Sequence, residues 1–218
     1  MRCYFKGDFM AKQTQTKSIH EGFTVWITGL PFSGKKETGR ILAERLDMIG
    51  YKTNVLVGGQ IRRQYEKKLG FSKEEIYKNI RRIAFECKLL GENGVIAIAI
   101  TISPFRDLRD ECRQLLGRFV EVYHECPLEI LKKRDQKGLF LRAEKGELKN
   151  VAGISIPYEE SEHPEVVIHC EKDTPFKAAS KIILQLKNLG FLKKADHSVL
   201  LKQEEKDIRR ILRETWFK

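Results

Sequence analysis

The sequence lacks any C-x-x-C pair, and its five cysteines (Cys3, Cys87, Cys112, Cys126 and Cys170) are widely spaced. That excludes the common zinc-ribbon spacings and predicts reduced thiols in a cytoplasmic setting, not bridges. No apolar run is long enough to span a bilayer as a helix. Met1 to Gly22 is polar and mixed, so a secretory signal is not expected. Internal repeats and low-complexity blocks are absent, which excludes solenoids. Acidic charge is in short supply: 41 Lys and Arg face 30 Asp and Glu, a formal charge of +11. Such an excess favours anionic partners, nucleotides or nucleic acid. Nucleic acid is the weaker reading, because no aromatic-basic stripe or helix-turn-helix signature is found.

What is present begins at Gly29-Leu30-Pro31-Phe32-Ser33-Gly34-Lys35-Lys36. Its first seven positions fit the phosphate-binding loop G-x-x-x-x-G-K-[ST], in which backbone N–H groups and one lysine meet nucleotide phosphates. The eighth position should be a hydroxyl that ligates Mg²⁺. Lys36 stands there instead, and an ammonium has no lone pair for a metal. Context supports the loop. The β-branched and aromatic run Phe23-Thr-Val-Trp-Ile-Thr28 precedes it as a strand. Glu37 to Gly50 follows with apolar residues at helical spacing. The helix start then adds its positive dipole end to the loop.

The rest of the chain alternates. Strands are predicted at Lys52 to Val57, ending at Gly58-Gly59, and at Gly94 to Ile100, Phe119 to His124 and Val166 to His169. Helices are predicted at Lys73 to Leu90 with Ser72 as N-cap, Arg106 to Leu116, Leu128 to Arg134 and Pro175 to Leu189. The apolar run at Gly94 to Ile100 suits a central parallel strand covered on both faces. Alternating strands and helices imply an α/β fold, a parallel sheet with helices on both faces in three layers. Lys132 to Lys149 is a basic stretch with glycines at 138 and 146 and reads as a solvated surface face or a lid, the lid being what the resemblance described next implies. Residues 1–22 are expected to be flexible, 23–192 to form the phosphate-loop domain, and 193–218 a helical extension. Within the extension, Lys202 to Phe217 has the spacing of an amphipathic helix, a candidate for docking a protein partner.

With these pieces in place the chain resembles the adenylyl-sulfate kinases from about Gly22 to Leu192. The markers are Phe23 to Leu30, Leu69-Gly-Phe-Ser-Lys-Glu74, Asn79-Ile-Arg-Arg-Ile83, Ile102-Ser-Pro-Phe-Arg106, Phe119-Val-Glu-Val-Tyr123, Lys137-Gly-Leu-Phe140, Gly153-Ile154 and Pro157-Tyr-Glu159. The resemblance implies a P-loop fold and transfer of the ATP γ-phosphate to the 3′-hydroxyl of adenylyl sulfate. The product is 3′-phosphoadenylyl sulfate, Mg²⁺ is used, and a homodimer is common. It implies roles too: Lys35 on the transferring phosphate, Arg62, Phe71, Asn79 and Lys137 on the sulfur nucleotide, and Ser103 as a catalytic serine open to phosphorylation.

The same resemblance shows where this chain departs. Val57-Gly58-Gly59 aligns with the family's Asp-Gly-Asp, so both carboxylates are gone. Ile76 replaces an arginine, and Val151 replaces a second adenine-stacking phenylalanine. Phe32 stands where the family has a small residue, which predicts a crowded loop, and Pro31 removes one N–H. No metal ligand is assigned. Glu37, Glu66 and Glu159 are the acids considered as substitutes. Three readings follow. The chain is a working kinase of sulfate assimilation with altered metal handling, or a catalytically silent nucleotide-binding relative that senses or docks, or a nucleic-acid-associated protein. The missing transition-state groups favour weak or absent transfer.

Overall fold

The computed structural model describes residues 21–65 and 69–193. The expectations for residues 1–20, for Glu66 and for the helix at 202–217 lie outside the described residues. Five strands run parallel in the order β2-β3-β1-β4-β5. They are β1 (Thr24–Gly29), β2 (Thr53–Val57), β3 (Ile96–Ile100), β4 (Phe119–Glu125) and β5 (Val166–His169). Around them lie α1 (Lys35–Met48), α2 (Gly58–Tyr65), α3 (Lys73–Glu92), α4 (Arg106–Leu116), α5 (Leu128–Arg134), α6 (Leu139–Glu144) and α7 (Pro175–Asn188).

The alternation in β3 explains how the sheet is covered. Ile96, Ile98 and Ile100 face α1 and α7, packing with Leu42, Leu46, Ile182 and Leu186. Ala97 and Ala99 face α3 and α4, where small residues leave room for Trp26 of β1. Register sets that fit, with Trp26 beside Ala99 and Val25 beside Ile98. Trp26 is fully buried and its ring lies 5.9 Å from that of Phe119.

Helix starts follow their sequence signals. Ser72 caps α3, its Oγ accepting from the Glu75 N–H, while the Glu75 carboxylate accepts from the Ser72 N–H, a complete capping box. Thr174 caps α7 ahead of Pro175.

One expectation is extended here and one is corrected. β2 ends at Gly58-Gly59 as expected, and the two glycines open α2, a helix absent from the sequence reading. Glycine is tolerated at a helix start, and Ile61 one turn on is buried. The cysteines are not all free thiols: Cys126 and Cys170 form a disulfide, whereas Cys87 and Cys112 are free and buried. Adjacent parallel strands explain the pairing. Glu125 of β4 lies beside His169 of β5, so the residue after each strand meets the other. The bridge removes the thiol argument for a cytoplasmic setting. No helix among the described residues is long and apolar enough to cross a membrane.

A third, smaller core gathers Leu131, Phe140, Ala143 and Val151 with Leu30 and Phe32. It fastens α5, α6 and the strand-like loop after them onto the phosphate loop. Helix α6, absent from the sequence reading, forms inside the predicted lid. Two basic residues of that lid form local ion pairs: Lys132 with Glu129 and Glu144, and Arg142 with Glu147.

Candidate functional site

The site lies at the carboxyl ends of the strands, as a parallel α/β sheet dictates. Strand β1 ends at Gly29, whose φ is +141° and where a Cβ would lie 2.6 Å from the His124 carbonyl oxygen, so only glycine fits. The loop then turns through Leu30, Pro31, Phe32 and Ser33 to Gly34, and α1 begins at Lys35. Phe32 has a φ of 64° and does not crowd the loop interior. Its ring packs edge-on against Phe140, centroids 5.6 Å apart, and so pins α6 to the loop. The buried Ser33 lends its carbonyl to the Nδ1–H of His124 at 3.1 Å. A carbonyl only accepts, so His124 carries its proton on Nδ1. Burial and the nearby Lys35 charge hold its pKa down to about 3.

Lys35 is 7% exposed. Its ammonium donates to the Leu30 carbonyl and to Ser33 Oγ, the latter at 3.1 Å. Burial lowers its pKa to about 7, against a smaller raising effect from Glu37. An anion entering the loop would restore the charged form. Lys36 is exposed on the first turn of α1.

Beside the loop opens a cavity of about 400 Å³ lined by Lys35, Arg62, Phe71, Asn79, Ser103 and Pro31 among others. Five side chains singled out in the sequence therefore meet in one place. Arg62 donates to the Gly70 carbonyl and stacks on the Phe71 ring, its guanidinium carbon 4.2 Å from the centroid. Burial lowers the Arg62 pKa, and the field of Glu75 raises it. Phe71 is 53% exposed, so one edge of this stack is open. Asn79 is buried; its Nδ2 reaches the Gly58 carbonyl at 3.4 Å and its Oδ1 has no partner.

Ser103 is different. It is 1% exposed, with φ at 38°. Its Oγ accepts from Trp26 Nε1 at 3.1 Å and from the Thr101 hydroxyl at 2.8 Å. Thr28 Oγ1 lies 2.8 Å from Ser103 Oγ and 2.8 Å from the Tyr158 hydroxyl, and donates to the Ile102 carbonyl at 2.6 Å. One assignment satisfies every group: Ser103 donates to Thr28, and so does Tyr158. A hydroxyl has one proton and two lone pairs, so the Ser103 hydroxyl is fully used.

Beneath it lies an ion pair that the sequence reading missed. Arg109 and Glu121, 1% and 5% exposed, meet at 3.0 Å through Arg109 Nε. The other Arg109 nitrogens donate to the carbonyls of Ser103 at 2.8 Å and Glu159 at 2.7 Å. Only the pairing of a charged helix residue with a charged residue inside an apolar strand hinted at it.

Lys137 is exposed and does not line the cavity, whereas Lys149 and Asn150 do. Of the candidate replacement acids, Glu37 is exposed on α1, and Glu159 accepts from the Arg106 N–H at 2.6 Å, which anchors α4. Neither lines the cavity.

The family model described as Adenylylsulphate kinase matches residues 21–169, well over half of the chain. The adenylyl-sulfate kinase of Picosynechococcus sp. is 44% identical over 79% of this chain and 98% of its own. The chain belongs to the adenylyl-sulfate kinase family. The probable adenylyl-sulfate kinase of Pyrococcus abyssi is 43% identical over 79% of this chain and 99% of its own. Among solved structures, the Mycobacterium tuberculosis APS kinase CysC in complex with AMPPNP and APS superposes with a TM-score of 0.73. It is 30% identical and covers 77% of this chain and 98% of its own.

The positions that the sequence reading placed as departures from the family's motifs cluster in this fold. Val57, Gly58, Gly59, Ile76 and Val151 all line the cavity. Among the described residues its wall carries Lys35, Arg62 and Lys149 and no Asp or Glu. Among the described residues no group of three or more His, Cys, Asp and Glu side chains is placed to hold a metal ion. ATP phosphates fit the loop, with its buried lysine and the start of α1. Among the described residues, Lys36 offers Mg²⁺ no lone pair and the cavity wall offers it no carboxylate.

Proposed function

We propose that this protein binds ATP and adenylyl-sulfate-type nucleotides and transfers phosphate between them weakly or not at all. The observation that carries this reading is the cavity wall, which gathers the nucleotide-binding side chains and, among the described residues, no carboxylate. Lys35 meets a phosphate, Arg62 and Phe71 offer a cation and an aromatic face to the nucleotide, and Asn79 accepts from a ligand hydroxyl or amine. Ser103 acts by position: its saturated hydroxyl holds β1, the end of β3 and Tyr158 together under the cavity floor. Lys137 takes no part in the cavity as it stands.

Phosphoryl transfer depends on positioning and charge stabilisation. Loss of a single stabilising or acid–base group costs about 10²–10⁴ in rate. With the loop hydroxyl and both acids replaced, binding outlasts chemistry. Among the described residues of the cavity wall, only Lys35 in its neutral form takes the acceptor hydroxyl's proton, and Lys35 is needed charged on the phosphate. A homodimer, as the resemblance implies, is part of this proposal, and gel filtration with light scattering tests it.

Calorimetric titration with ATP, adenylyl sulfate and 3′-phosphoadenylyl sulfate, with and without Mg²⁺, tests the reading alongside a coupled ADP-release assay. Binding that needs no Mg²⁺, with adenylyl-sulfate-dependent ADP release at least about 100-fold below an active relative, is expected. ADP release at the relative's rate would restore the working kinase. Absence of binding by all three nucleotides would remove the nucleotide reading altogether.

A further inference from the structure

We propose that a second cavity, at the carboxyl ends of β4 and β5, binds a small linear polyamine. This goes beyond the nucleotide reading and does not rest on it. The cavity measures about 950 Å³ and, among the described residues, shares none of its lining with the nucleotide cavity. Register puts Tyr123 and Glu125 of β4 on one face of the sheet with His169 of β5. The segment 153–160 runs beside them and supplies Ile154, Ile156 and Pro157 to the wall.

The observation that points to a ligand is Tyr123. It is 8% exposed and lines the cavity. Its ring stacks on that of Tyr158, planes 10° apart and centroids 5.9 Å apart. Tyr158 is itself fastened through its hydroxyl to Thr28 Oγ1 at 2.8 Å. The Tyr123 hydroxyl has no hydrogen-bond partner among the described residues. Buried tyrosine hydroxyls normally find one. A hydroxyl held this firmly and left open at a cavity waits for a ligand group. Burial and the fields of Glu160 and Glu125 push its pKa up to about 12, so it stays neutral.

The charges say which group. Among the described residues the wall holds Glu125, Glu160 and Glu171 against Lys172 and His169. Glu125 is engaged by His169 Nδ1. Glu160 and Glu171 have no ionic partner among the described residues. They stand on separate segments, one after Tyr158 and one after β5. No three such groups among the described residues converge on a metal position. Separated carboxylates suit separated ammonium groups on one stem, not a single metal ion with clustered oxygens. The stem has an apolar wall to lie along in Leu128, Ile154, Ile156 and Pro157. One ammonium donates to the Tyr123 hydroxyl and shares the charge of Glu160, and another meets Glu171. The chain carries +11 overall, so loose adsorption of a polyamine over its surface is disfavoured.

The test titrates the full chain calorimetrically at low salt with spermidine and with butylamine, without nucleotide, whose phosphates would bind the amines themselves. One spermidine per chain should bind, about tenfold tighter than butylamine, because two further ammonium groups find carboxylates. Tyr123→Phe keeps the stacked ring and should weaken spermidine at least about tenfold, the worth of a hydrogen bond to a charged group. Glu160→Gln and Glu171→Gln, both at exposed positions, should each weaken it about two- to fivefold. Glu92→Gln, in a different cavity beside the start of β1, should change nothing. Absence of spermidine binding, equal affinity for butylamine, or an affinity that Tyr123→Phe and Glu160→Gln leave intact would each overturn the proposal.

Discussion

Two polar regions share the carboxyl end of this sheet, and they are built on opposite plans. Under the cavity, Trp26, Thr28, Thr101, Ser103 and Tyr158 pass hydrogen bonds along until no side-chain donor is spare, with Arg109 and Glu121 closing the base. In the cavity wall, the described residues supply cations without a carboxylate and an Asn79 oxygen without a partner. Polar groups that close on each other hold a structure, and polar groups left open wait for a ligand. The motif-derived serine belongs to the first region, and the motif-derived lysine, arginine and asparagine belong to the second.

The comparison breaks hardest at Arg109. Arg109→Ala leaves Glu121 in the interior with Arg113 and the Ser161 hydroxyl as its remaining partners, and should cost about 3–5 kcal/mol of stability in urea unfolding. A cost below 1 kcal/mol would mean the lower region is not closed. Ser103→Ala leaves Trp26 Nε1 and the Thr101 hydroxyl without their acceptor and should cost about 1–3 kcal/mol. Intact-mass spectra of the native chain incubated with ATP should show no phosphate on Ser103. A phosphoserine there would place Ser103 in the open region.

Lys35 sharpens the comparison through pH. Burial lowers its pKa from 10.5 to about 7, so between those values the unfolded chain holds more protons than the folded one. Stability therefore rises with pH across that window, by linkage. Ligand binding runs the other way. A bound phosphate restores the ammonium, a proton is taken up, and affinity should fall by up to about tenfold per pH unit above pH 7. Calorimetry in two buffers of different ionisation enthalpy measures that uptake, and Lys35→Met should abolish it. No proton uptake would show that Lys35 is already charged in the empty loop.

How much of this was legible beforehand depended on whether the signal was local. The run Ile96 to Ile100 declared a strand covered on both faces, and Ser72 with Glu75 declared the start of α3. Lys35, Arg62, Phe71 and Asn79 were found through motifs, and the fold brings them to one cavity. Helix α2 was missed because a glycine pair after a strand looks like punctuation, and only tertiary burial of Ile61 makes it a helix. Helix α6 was hidden because Phe140 and Leu131 sit in a stretch that reads as charge. Arg109 looked like any exposed helix arginine, since its partner lies on another element and leaves no periodic trace. The pairing of Cys126 with Cys170 is a matter of strand order, which spacing alone does not reveal.

That bridge also fixes how the molecule responds to force. It closes a loop of 44 residues between the ends of neighbouring strands. Inside the loop lie α5, α6, the core around Phe140 and Tyr158. A pull applied at the two chain ends passes through the sulfur atoms and around this segment, so none of its contour is released while the bond is intact. The fully stretched oxidised chain should be about 150 Å shorter than the reduced one, and the lid should be the last part of the domain to feel the load.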